Sequence, residues 1–132
     1  MPTTTQLAAV SGAMAIGLGA FGAHGLKTKV DPAMIKIWET ASHYHLVHSV
    51  ALLGIIPYYR IHIADILFTA VSVGHGHLSK RSLRLAPPLF TAGMVLFSGS
   101  LYLLVLTNKK ALGAITPIGG LSLIAGWLSL AL

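Results

Sequence analysis

The sequence predicts an all-α integral membrane protein, a four-helix bundle, and three observations carry that prediction. Hydrophobic residues make up 55% of the 132 positions and charged residues only 9%, against about 25% charged in ordinary soluble proteins. Four stretches approach the roughly 20 mostly apolar residues that a helix needs to cross the hydrocarbon core. Two of them repeat small residues every three or four positions, the pattern by which helices approach closely in lipid. Length alone indicates a single membrane domain spanning 1–132.

The first span is read at residues 6–26, where Ser11, Ala15, Gly19 and Ala23 recur every four positions as a packing ridge. No Lys or Arg precedes it, so it lacks the basic start of a signal peptide and is expected to remain as a span. Asp31 followed by Pro32 is a helix-start signal: a capping acid, then proline in the first turn. Lys36 and Glu39 make the following turns too polar for hydrocarbon. An amphipathic helix at 32–40 therefore enters a second span at 41–59, with Met34, Trp38, Ala41, His45 and His48 at helical spacing. The third span is read at 86–107 and the fourth at 111–131, joined by the polar turn "NKK". Pro117, Gly119 and Gly120 are expected to kink the fourth span or thin its packing. Gly119, Ser122, Gly126 and Ser129 form a second small-residue stripe, and Trp127 suits an interfacial anchor.

Residues 58–85 read as an inserted surface or re-entrant segment. Its apolar stretch, 61–74, is short and contains Asp65, and "GHGH" before "SKRSLR" reads as an exposed basic loop and not a metal site. Nine Lys and Arg against three acids leave a net charge of +6. The basic residues are scattered over three loops without aromatic interleaving, which fits lipid headgroups and argues against nucleic acid. Five fall on one side of the membrane and four on the other, so the charge bias does not set an orientation. With no cysteine, disulfides, thiolate metal sites and cysteine nucleophiles are excluded.

Four antiparallel spans bring the polar side chains to one leaflet. The candidate pocket there is His24, His45, His48, Ser98, Ser100 and Tyr102. His45 and His48, three residues apart, are expected to share an inward face, while His43 turns to the headgroups beside Glu39. Histidines at membrane depth count as a functional-site hypothesis. Four readings stay open: structural hydrogen bonding, metal or haem ligation, a proton or ion path, and binding of a ligand such as a lipid headgroup. No carboxylate stands near to complete a metal set or orient a catalytic imidazole, so no metal site, cofactor or enzymatic activity is assigned.

"GAFGAHGLK", "WETASHYHLVHSVALLG", "LFSGSLYLLVLT" and "LGAITPIGG…GWLSLAL" occur in that order and cover about four-fifths of the chain. In these motifs the sequence resembles the transmembrane protein 256-like family, small membrane proteins also grouped as a bacterial domain of unknown function. The resemblance implies a four-helix integral membrane protein, in the plasma membrane of bacteria or the mitochondrial inner membrane of eukaryotes, and no assigned activity. It also implies that His24, His45, His48 and Tyr102, with the glycines of "GAFGAHG" and "TPIGG", stand at recurring family positions. The family pattern joins spans two and three by a short loop, and the segment at 58–85 departs from it. The first functional reading is an accessory or scaffold subunit that packs, through its small-residue stripes, with other membrane proteins or itself. The alternative is a ligand-binding or transport protein using the His/Tyr pocket.

Overall fold

Asp31 starts the second helix as its chemistry predicts. Its carboxylate accepts the Ala33 N–H at 2.8 Å, which satisfies a backbone donor that no helical carbonyl can reach. The structure, a computed structural model, describes residues 4–61 and 80–131. Most of the segment read as inserted at 58–85, with His62, Asp65, His75 and His77, lies outside the described residues.

The described chain is helical apart from short turns. Helix α1 (Thr4–Phe21) ends in a π turn at Gly22–Leu26, and α2 follows as one 30-residue helix, Pro32–Ile61. The amphipathic lead and the second span are thus continuous. Helix α3 (Lys80–Met94) passes through a second π turn, Val95–Gly99, into α4 (Ser100–Thr107). Asn108 then adopts a left-handed conformation at φ 55°, which ends α4 and reverses the chain. A 3-10 turn at Lys110–Ala114 leads into α5 (Thr116–Leu130). Pro117 falls in the first turn of α5, where its missing N–H costs nothing, so it begins the helix instead of kinking it.

Among the described residues, three stretches are long and apolar enough to cross a membrane: Thr5–Leu26, Arg84–Thr107 and Lys110–Leu130. Helix α2 is longer than any of them but is not one of the three, because His43, Tyr44, His45, His48 and Ser49 dilute its apolar content. Ile16 on α1 and Ile118, Leu121, Ile124 and Leu128 on α5 are exposed, as lipid-facing side chains are.

The helices pair as two antiparallel hairpins. In the first, Gly12 lies against Ser49 and Gly19 against Ser42, while the Gly22 Cα faces the Trp38 ring. Each pair is equally far in sequence from the turn at Val30 and Asp31, give or take a residue, because both helices rise by the same 1.5 Å per residue. In the second, Gly93 faces Leu123, Gly119 faces Phe97 and Gly126 faces Phe90, all equidistant from Asn108. Both stripes read from the sequence are thereby occupied inside the molecule. Ser11, Ala15 and Gly19 face α2, Gly119, Ser122 and Gly126 face α3 and its π turn, and Ala23 alone among the stripe positions of α1 is exposed.

Helix α2 joins the two hairpins by packing on α3, the π turn and α4. Helix α1 has no comparable contact with α3, α4 or α5 among the described residues. The helices therefore form an open series, α1 beside α2 beside α3–α4 beside α5. Two apolar clusters hold it together. One gathers Ala8, Leu52, Ile55, Ala86, Phe90, Met94 and Leu123, the other Leu26, Trp38, Ala41, Leu101, Tyr102, Leu104 and Val105. Trp38, 1% exposed, anchors the second cluster: its Nε1–H donates to the Leu18 carbonyl at 2.7 Å and its ring lies 4.7 Å from that of Tyr102.

Candidate ligand-binding groove

Along α2 the order is Trp38 and Ala41, then His45, His48 and Ser49, then Leu52 and Ile55. The first pair belongs to one apolar cluster and the last pair to the other. The polar side chains thus form a layer between two apolar cores, not a pocket at one end. The lead of α2 is packed inside the molecule, with Trp38 and Ala41 buried against α1 and α4, so the core extends outward beyond His45.

Because α1 rests on α2 but not on α3, a groove of about 470 Å³ runs between α1 and α3–α4, with α2 as its floor. His45, Tyr102, Ser98 and Ser11 line it among apolar side chains. A second groove, about 500 Å³, lies between α2 and α5 and is lined by His43, Tyr44, His48, Phe97 and Trp127. His45 lines the first groove and His48 the second. Three residues separate their directions by about 60° around α2, enough to send one to each groove.

The hydrogen bonds of the first groove form an ordered chain. Ser49 donates to the His45 carbonyl at 2.8 Å. Ser49 also approaches Met94 Sδ at 3.7 Å; with its one proton on the carbonyl, Ser11 donates at the 2.7 Å contact between the two serines. The Ser11 oxygen is then free to accept from His45 Nε2–H at 2.9 Å, which leaves His45 Nδ1 to accept a long bond, 3.4 Å, from the Tyr102 hydroxyl. In that arrangement the chain ends on the carbonyl of His45 itself.

His48 is held separately. An indole N–H can only donate, so Trp127 Nε1–H gives its proton to His48 Nε2 at 3.1 Å, and His48 Nδ1–H donates to the Tyr44 carbonyl at 2.7 Å. Both ring nitrogens are used, and Phe90 and Tyr44 pack on the ring at 5.4 and 5.9 Å. Of the remaining candidates, Ser100 bonds Thr116 at 2.9 Å across the second hairpin and His24 is exposed on the π turn after α1. The structure therefore brings together His45, Tyr102 and Ser98, and places His24, His48 and Ser100 elsewhere. Among the described residues no group of three His, Asp or Glu is close enough to hold a metal ion.

Ser98 is the exception in this network. It is 1% exposed, and among the described residues its hydroxyl is the one buried side-chain polar atom without a hydrogen-bond partner. Helical Ser and Thr normally bond back to a carbonyl three or four residues earlier. Thr40, Ser42, Ser49, Thr91, Ser100, Thr107 and Ser129 all do so here. Ser98 sits in the π turn and makes no such bond. A buried hydroxyl without a partner costs about 1–3 kcal/mol, and π turns inside helices occur often at functional sites.

Sequence reading missed Ser11, Ser49 and Trp127 as partners of the histidines. The signal that finds the serines is the hairpin itself: a turn centred on Val30 and Asp31 puts Ser11 and Gly12 opposite Ser49.

Residues 18–120 match the model of a protein family described as "Protein of unknown function (DUF423)". A UPF0382 membrane protein of Staphylococcus aureus is 41% identical over 124 residues, covering 94% of this chain and 88% of the relative. UPF0382 membrane protein YwdK of Bacillus subtilis is 40% identical over 122 residues, covering 92% and 87%. A UPF0382 membrane protein of Schizosaccharomyces pombe is 37% identical over 131 residues, covering 95% of each chain. No solved structure matches.

Proposed function

The chain belongs to the DUF423 family of membrane proteins, and on that premise we propose that it is a non-enzymatic binding protein for a membrane-soluble ligand held in the groove between α1 and α3. The observation that carries this reading is the Ser98 hydroxyl, buried and unpaired on the wall of a groove whose other hydroxyls and imidazole are matched to one another. A site built to hydrogen-bond a ligand leaves such a group open until the ligand arrives. The mutual engagement of Ser11, His45, Ser49 and Tyr102 supports positioning over catalysis.

In this reading α2 crosses the bilayer with the other three helices as a four-helix unit. Its polar side chains are sheltered by α1 on one side and α3–α4 on the other. The membrane is the plasma membrane in a bacterium and the mitochondrial inner membrane in a eukaryote. Packing with partner membrane proteins, as an accessory or scaffold subunit, rested on spare small-residue stripes. Those stripes face α2 and α3 within the chain, which leaves that reading without the feature that prompted it.

The test is to purify the protein in native nanodiscs and measure by extraction and mass spectrometry what remains bound. Val95, 65% exposed on the groove wall, is replaced by Trp to fill the space. A ligand near one per protein, lost in Val95→Trp, is expected. No enriched molecule, or equal amounts in both proteins, would overturn the reading.

A further inference from the structure

We propose, resting on the groove as a ligand site, that its ligand is an uncharged amphiphile: an alcohol or carbonyl oxygen head on an apolar body, entering sideways from the bilayer. Three features of the groove specify this chemistry.

The walls are apolar, with Leu7, Val10, Met14, Leu52, Met94 and Val95 among the residues that form them. Val10, Met14 and Val95 are 59%, 55% and 65% exposed at the groove, so the opening faces the region that lipid occupies. An apolar body can therefore slide in without crossing a polar barrier.

Among the described residues, no Asp, Glu, Lys or Arg lines the groove. A carboxylate or phosphate head would be buried there without a counter-charge, and an unpaired ion in such a setting is heavily penalised. The head must be neutral.

In one arrangement consistent with every contact, the protons of the groove's other polar residues are all engaged. The Tyr102 proton goes to His45 Nδ1, the His45 Nε2 proton to Ser11, the Ser11 proton to Ser49 and the Ser49 proton to a carbonyl. Thr91, also on the wall, donates to the Pro87 carbonyl. What remains is the Ser98 O–H as a donor and the lone pairs of Tyr102 as acceptors. Ser98 and Tyr102 both line the groove. Once the Ser98 side chain turns its buried hydroxyl toward the groove, a ligand oxygen that accepts from it satisfies the group left unpaired, and a ligand hydroxyl can also donate to Tyr102.

The test uses two probes that differ only in the head, oleyl alcohol and oleate. Binding to the delipidated full-length protein is measured by equilibrium dialysis in detergent. Oleyl alcohol is expected to bind saturably and at least about tenfold tighter than oleate at neutral pH. Ser98→Ala is expected to weaken the alcohol by about tenfold, the upper end of what one hydrogen bond contributes. The same substitution should raise the thermal midpoint of the ligand-free protein, because it removes an unpaired buried hydroxyl. Farnesol in place of oleyl alcohol separates a branched isoprenoid body from a straight acyl one, and tight binding of either carries the proposal.

Oleate binding as tightly as the alcohol, or alcohol binding unchanged by Ser98→Ala, overturns the proposed ligand class. If Val95→Trp still abolishes that binding, the groove itself survives as the site. No saturable binding of any probe, together with no native ligand displaced by Val95→Trp, overturns both.

Discussion

Replacing Gly119 with alanine should force α5 away from the π turn that joins α3 to α4. A Cβ built on Gly119 would overlap the Phe97 backbone nitrogen and lie 2.7 Å from the Leu96 carbonyl carbon and 2.8 Å from Phe97 Cα. Carbon atoms settle at about 3.5–4.0 Å, so about 1 Å of clearance must be found. The obstacles are backbone atoms, which cannot rotate aside as a side chain can. Overpacking of a close-packed interior costs about 1–3 kcal/mol, and a backbone obstacle puts this case at the upper end, about 3 kcal/mol. Alanine recovers up to about 1 kcal/mol of helix propensity over glycine, which leaves a net loss of about 2 kcal/mol. The adjacent residue is the control. A Cβ on Gly120 would meet only the Phe97 ring, at 3.7 and 3.8 Å, an ordinary contact. Gly120→Ala should therefore be neutral or stabilising by up to about 1 kcal/mol. Equilibrium unfolding in mixed micelles of mild detergent and dodecyl sulfate, followed by tryptophan fluorescence, measures both. If the two variants agree within about 0.5 kcal/mol, the scatter typical of inconsequential substitutions, the close backbone contact at Gly119 is wrong.

Other substitutions probe the remaining contacts by the same unfolding assay. Gly22→Ala should cost about 1–3 kcal/mol, because its Cβ would overlap the Trp38 indole, and adding Trp38→Leu should make the glycine substitution nearly free. A double-mutant cycle between Ser11→Ala and His45→Leu should give a coupling energy of about 0.6 kcal/mol and up to about 1.7, the range for hydrogen bonds between membrane helices; zero coupling would deny their 2.9 Å contact. Trp127→Phe keeps the aromatic packing near His48 but removes the donor to its Nε2, and should cost about 0.6–1.7 kcal/mol. His24→Ala, at an exposed position, should leave both stability and ligand retention unchanged, and a loss of bound ligand would return His24 to the site.

Much of the fold was legible in the residues. The long apolar stretches placed α1, α3–α4 and α5, and the Asp31–Pro32 pair placed the start of α2, because caps and hydropathy are local properties. The spacing of Ser11, Ala15 and Gly19, and of Gly119, Ser122 and Gly126, marked faces that do meet other helices. It left open whether those helices belong to the same chain. In water, the buried face of a helix is its apolar face. In lipid, both the packed face and the lipid-facing one are apolar, so periodicity cannot say which is inside.

The site depended on that missing information. His24 reads as near the start of α2 because the turn is short, yet the π turn leaves it exposed. His45 and His48 share a helical face on paper, and they part because α2 has one hairpin partner on one side and a second hairpin on the other. The sequence by itself determined an all-helical membrane protein with histidines, serines and a tyrosine within its helices. Only the tertiary structure decided that α1 rests on α2 and not on α3, opening a groove beside His45, and that the π turn leaves the Ser98 hydroxyl on its wall without a partner. The physical reason is range: caps and spans follow from residues within a few turns, whereas a groove follows from which helices fail to touch.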